Sequence, residues 1–258
     1  MNIPSFRTPP VSEVAAGVQF AQLAPFQTRF FGQFWNEVAK DYPTTQDAPP
    51  VQAVEQAGMV TMQIMTVPPL RRVLFISKDQ QFLIQIQDSR FHHNWRRVNN
   101  STEYPRFPEV YRRFIATWGL FSDFLKREGL PQPRLTRYEL TYVNEIAISS
   151  ETMVSDVEKF VRMYASLTNR EFLPSPSSVG TNWQFALPER KGQLHATLSH
   201  ARKPDGQEAA VLALNCFGPA ASKGYTMAEW FQTAHEWIVR GFADLTTAEA
   251  HQKWGRER

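Results

Sequence analysis

The stretch QFLIQIQDSRFHHNWRR, residues 81–97, decides the fold. From Gln81 to Gln87 the chain alternates, with Phe82, Ile84 and Ile86 on one side. A period of two is the pattern of a half-buried β-strand. Asp88-Ser89 supplies turn chemistry. Beyond it Phe91, His93 and Trp95 alternate with Arg90, His92, Asn94 and Arg96. A strand here has one aromatic face and one polar row, because successive side chains point to opposite faces.

Reading outward, Pro105 and Pro108 lead into a helix that runs to about Glu128, with Phe107, Val110, Tyr111, Phe114, Trp118, Phe121 and Leu125 as its buried stripe. Gly129 is placed to stop it. Upstream, Val14, Val18 and Phe20 fit a first strand. A helix follows over residues 25–42, carrying Phe26, Phe30, Phe31, Phe34, Trp35 and Val38 at helical spacing, and Pro43 ends it. Residues 44–50 read as a polar loop, and strand-like pieces follow near 51–57, 59–67 and 71–77.

The same order then recurs. A long strand over residues 135–148 precedes a short helix with Met153, Val157, Phe160, Val161 and Tyr164 as its stripe, and a Ser/Pro-rich loop at 173–181. Strands fit 181–188, 193–202 and 209–217. Thr226 with Glu229 is a capping-box signature opening a long helix, and Thr246 with Glu249 repeats that signal for a last short one, which Gly255 ends. The expected fold class is α+β, in tandem strand–helix–antiparallel sheet–helix repeats divided as 1–133 and 134–258. This plan is similar to helix-grip and TATA-binding-protein-like folds. Trp118, Phe121, Trp230 and Trp237 are expected in the core, between helices and sheet.

Charge is unevenly distributed. Residues 71–137 hold 13 Lys/Arg against 6 Asp/Glu, a local +7 within a chain of net charge +3. Such a region either is solvated surface or attracts an anionic partner. Cys216 is the only cysteine, which excludes an internal disulfide, and its apolar strand context reads as a buried, inert thiol. The N-terminus has no apolar core resembling a signal peptide, and no apolar run is long enough for a membrane helix. A cytoplasmic protein that does not engage membranes is the expectation.

Four segments carry a family resemblance: PPVSEVAAGVQF at 9–20, RFHHNWRR at 90–97, ELTYVNEI at 139–146 and FADLTTAEAHQKWG at 242–255. Together they resemble a sporadically distributed bacterial protein family of about this length, one with no established activity to carry over. The resemblance implies a bacterial accessory gene rather than central metabolism.

Arg90, His92, Asn94 and Arg96 form the candidate ligand-binding row, with Glu139 on a later strand as a further member. Arginine, histidine and asparagine side chains hold phosphate or carboxylate by charge-assisted hydrogen bonds. The alternative is a row whose arginines pair with neighbouring carboxylates across the sheet. No metal site is expected. His92 and His93 are adjacent and point to opposite faces, and no zinc-ligand spacing occurs. No cofactor is expected, since neither a Walker loop nor a GxGxxG occurs, and there is no GxSxG elbow. The reading is therefore a soluble accessory protein that binds a protein partner, or a nucleic acid or anionic small molecule through the basic region 71–137. The second reading is a hydrolase or transferase whose catalytic groups converge only in three dimensions.

Overall fold

The alternation in residues 81–97 folds into an antiparallel pair, with Ile84 opposite His93 and Ile86 opposite Phe91. The computed structural model describes residues 3–50, 71–148, 153–162, 178–202, 206–220 and 224–257. The expected strand-like pieces at 51–57 and 59–67, Tyr164, and most of the 173–181 loop, lie outside the described residues. The chain forms two compact units, Ala16–Thr136 and a second made of Met1–Ala15 with Arg137–Arg258. Among the described residues no helix is long and apolar enough to cross a membrane.

The first unit contains the end of β1 (Val11–Phe20), α1 (Thr28–Val38), β2 (Thr44–Ala48), β3 (Arg72–Ile76), β4 (Phe82–Gln87), β5 (Arg90–Arg96) and α2 (Phe107–Arg127). Its strand order is β2-β3-β4-β5-β1. Residues 44–48, read from sequence as loop, are the edge strand β2, paired antiparallel to β3. An edge strand carries polar residues readily because one side needs no partner. The stripes of α1 and α2 meet the aromatic face of β5. Phe121 is fully buried, its ring 5.2 Å from both Phe34 and Phe91 and 5.9 Å from Phe26. Gly129 ends α2 in the left-handed region, at φ +65°. Trp118 is only half-buried, though its ring still touches Phe20 and Phe91.

The second unit contains the start of β1, then β6 (Leu135–Ala147), α3 (Met153–Phe160), β7 (Thr181–Ala186), β8 (Gln193–Arg202), β9 (Glu208–Pro219), α4 (Met227–Leu245) and α5 (Ala248–Lys253). Its order is β1-β6-β9-β8-β7, and β6, β9, β8 and β7 pair antiparallel. Residues 1–15 belong to this unit rather than to the first because they bond to its strands and C-terminus. Glu145 N donates to Pro10 O at 2.9 Å, and Arg7 N to Gly255 O at 3.0 Å. Phe6 packs edge-on to Phe242, 5.5 Å between centroids.

The predicted capping box opens α4: Thr226 Oγ1 accepts from Glu229 N, and Thr226 N donates to Glu229 Oε2 at 2.7 Å. The cap of α5 is Thr247 rather than Thr246. Thr246 turns inward, donating to Phe242 O and meeting His251 Nε2. Trp230 is buried and donates to Lys191 O at 2.8 Å, whereas Trp237 is half-buried.

Candidate functional site

The tight Asp88-Ser89 connection fixes the register of β4 and β5, and that register sorts the side chains of β5. Phe91, His93 and Trp95 face the helices: Phe91 lies against Phe121, and His93 meets Tyr42 just beyond α1. Arg90, His92, Asn94 and Arg96 consequently occupy the opposite face. The cross-strand register extends this face over Gln87, opposite Arg90, and Gln85, opposite His92. Arg72 on β3 joins it by donating to Gln85 Oε1 at 2.7 Å.

These positions differ in access. Arg90 is 8% and Asn94 2% exposed, so they form a buried polar floor. His92 and Arg96 are half-buried at its rim. The His92 ring lies over Gly17 so closely that a Cβ there would sit 2.1 Å from its Cδ2. Only glycine makes room for the imidazole at that point. Arg96 is oriented by its Nε, which donates to Gln80 O at 2.8 Å, and Gln80 itself has a positive φ of 60°. Arg90, His92, Asn94 and Glu139 are each engaged with other groups of the chain. Glu139 belongs to the second unit, on β6 opposite Phe217 of β9.

The helix-facing side of β5 holds a polar group that the sequence reading passed over. Tyr42 Oη and His93 Nε2 are 2.9 Å apart in the interior. Burial, reinforced by the nearby Arg113 guanidinium, pushes the His93 imidazole down to about 3, so it is neutral. Burial likewise raises the Tyr42 phenol. The Arg113 guanidinium lies 3.9 Å from the Phe82 ring centroid and pairs with Glu109 at 2.7 Å. Its hydrogen bonds to Arg112 and Arg113 hold the Glu109 carboxyl down at about 2. The signal for this group was present: a histidine in an aromatic row, at a position the strand pattern assigns to the core, must find a partner there.

Four arginines of the basic region pair with carboxylates. Arg71 meets Asp47, Arg112 and Arg113 meet Glu109, and Arg127 meets Glu37. Asp47 and Glu37 lie outside residues 71–137, so the structure offsets part of the local excess seen in sequence.

The second unit has its own features. A pocket of about 360 Å³ lies between α4 and strands β7 and β8, lined by Phe185, Leu194, Trp237, Gly241 and Leu245 with Arg240 and Asp244. Trp237 is half-buried because it lines this pocket. Cys216 is fully buried, and burial pushes its thiol far up, as expected of an inert cysteine. His200 and Arg202 both bind Glu208 across the β8–β9 pair.

Among solved structures, the chain is similar to DynU16, a protein in the dynemicin biosynthetic locus (TM-score 0.29, 10% identity, 94% of this chain and 98% of that one). It is also similar to TBP of Methanococcus jannaschii (TM-score 0.26, 10% identity, 91% of this chain and 98% of that one). No family model matches the chain, and no curated protein matches it significantly.

Proposed function

We propose that the protein acts by binding, and that the polar face of β5, with Arg90, His92, Asn94 and Arg96, receives an anionic group of its partner. The observation that carries this reading is the division of the row into a buried floor and an accessible rim. A merely solvated row would be exposed throughout, whereas Arg90 and Asn94 are buried and His92 and Arg96 keep access. Guanidinium and amide donors in such a setting act more strongly than on open surface, because less water competes.

A small anion fits this arrangement better than a long nucleic-acid backbone, since four arginines of the surrounding basic region already engage carboxylates. Glu139 belongs to the second unit, so the reading rests on the β5 row alone. With the family resemblance, this makes a bacterial accessory protein working as a binder. Calorimetric titration with inorganic phosphate and with a short DNA duplex at low salt tests it. Saturable phosphate binding supports the small-anion form. Duplex binding with a steep salt dependence supports a nucleic-acid partner instead, and absence of both removes the anion reading.

A further inference from the structure

The cavity of about 360 Å³ in the second unit is walled mainly by apolar groups, and its walls have a regular origin. Trp237, Gly241 and Leu245 follow one another at intervals of four along α4, so they share one helix face. Phe185 and Leu194, on the opposite wall, are cross-strand partners in the β7–β8 pair. Gly241 presents backbone rather than a side chain, since a Cβ there would lie 3.0 Å from Leu194 Cδ2.

Two aromatic rings stay open to solvent here. Phe185 is 36% exposed and Trp237 is half-buried. Uncovered rings forgo the burial that stabilises the rest of the core. Such walls also hold water poorly, because an ordered water needs two to four polar partners. The volume is more than twice the roughly 150 Å³ that holds one benzene, so a fused pair of rings fits.

Charge decides which kind of aromatic compound is favoured. Arg240 and Asp244 both line the cavity, but they are not equivalent. Arg240 pairs with Glu236, one turn back on α4, at 2.8 Å. Asp244 is exposed and makes no ion pair among the described residues. It also stands in the last turn of α4, which carries no basic residue. The C-terminal end of a helix is the negative end of its dipole, so a carboxylate there adds to the field rather than offsetting it. A cation beside Asp244 answers both.

We infer that this cavity is a second binding site, for a small aromatic amine whose ring lies against Trp237 and Phe185 and whose ammonium pairs with Asp244. The rings supply flat apolar surface, and the Trp237 face attracts the ammonium as well. The site is independent of the β5 row, and it selects the opposite charge.

The test uses the full chain with tryptamine and, as a probe with the same ring and a negative charge, indole-3-acetate. Nitrogen-15 NMR follows the Gly241 amide and the Trp237 indole, the latter assigned with Trp237→Phe. Saturable shifts of both signals by tryptamine are expected, with indole-3-acetate at least about tenfold weaker. Asp244→Asn, at an exposed position, keeps the shape and removes the charge. It is expected to weaken tryptamine about tenfold and to leave indole-3-acetate no weaker. Signals unmoved by either probe overturn the site. Equal affinity for the two probes, or unchanged tryptamine affinity in Asp244→Asn, overturns the amine. Shifts that depend on protein concentration without any probe assign the face to a second copy of the chain, and overturn the inference too.

Discussion

Gly17 on β1 and His92 on β5 are locked together by shape: the imidazole occupies the space that any side chain at residue 17 would need. Gly17→Ala is therefore expected to destabilise the protein by about 1–3 kcal/mol through overpacking. His92→Ala should relieve most of that penalty, so the double variant is more stable than Gly17→Ala alone. Urea unfolding of the four proteins in a double-mutant cycle measures the coupling. Additive effects would mean that the ring moves aside at no cost.

Phe121 and Trp237 separate core from pocket. Phe121 is fully buried among aromatic rings, and Phe121→Ala is expected to cost about 3–5 kcal/mol. Trp237 lines an open pocket, so Trp237→Ala should fall clearly below the roughly 3–5 kcal/mol of full burial. Denaturation midpoints of the two variants check the ordering.

The acid side of the stability profile follows from the buried histidines. His93 titrates at about 3 in the folded chain and near 6.5 when unfolded. Between those values the unfolded chain binds a proton that the folded chain does not. Stability is thus full above about pH 6.5 and is lost as pH falls toward about 3, by at most about 4–5 kcal/mol for this group. His235, pushed down to about 4 by burial, acts in the same direction. His251 does too: burial lowers its imidazole, the Arg256 charge adds to this, and its Nδ1 accepts from Arg256 only while neutral. His93→Gln keeps an acceptor for Tyr42 without titrating, and should flatten the profile between about pH 7 and about pH 4. Urea unfolding of both proteins across that range compares the slopes.

The α4 cap offers a local check. Thr226→Ala removes the acceptor for Glu229 N and half of the reciprocal box, and should cost about 1 kcal/mol. The melting temperature of Thr226→Ser, which keeps the hydroxyl, should stay near that of the wild type.

Much of this fold was legible because it is written in periodicity. The alternation of β4 and β5, the stripes of α1 and α2, the capping box at Thr226 and the stop at Gly129 each have a local cause. β2 was not legible, since TTQDA has no apolar alternation and is a strand only by pairing with β3. The placement of residues 1–15 with the C-terminal unit depends on long-range bonds such as Arg7 to Gly255, which no local pattern encodes. For the site, alternation assigned Arg90, His92, Asn94 and Arg96 to one face. It could not give their burial, which depends on the surrounding structure rather than on the strand. The His93 group was hidden for a similar reason. Its partners Tyr42 and Arg113 lie 51 residues before and 20 residues after it in the sequence.

The central claim is that the row on β5 binds an anion, and Arg96 tests it most directly. Arg96 stands at the accessible rim and, among the described residues, its side chain anchors to a main-chain carbonyl, so its loss should leave the fold intact. Phosphate affinity of Arg96→Ala and Arg90→Gln, measured by calorimetry beside melting temperature, is the decisive comparison. The account predicts at least about tenfold weaker binding for Arg96→Ala at an unchanged melting temperature, and a further loss for Arg90→Gln. Wild-type phosphate affinity in both variants, or a large fall in melting temperature for both without any binding in the parent protein, would contradict it and make the row structural.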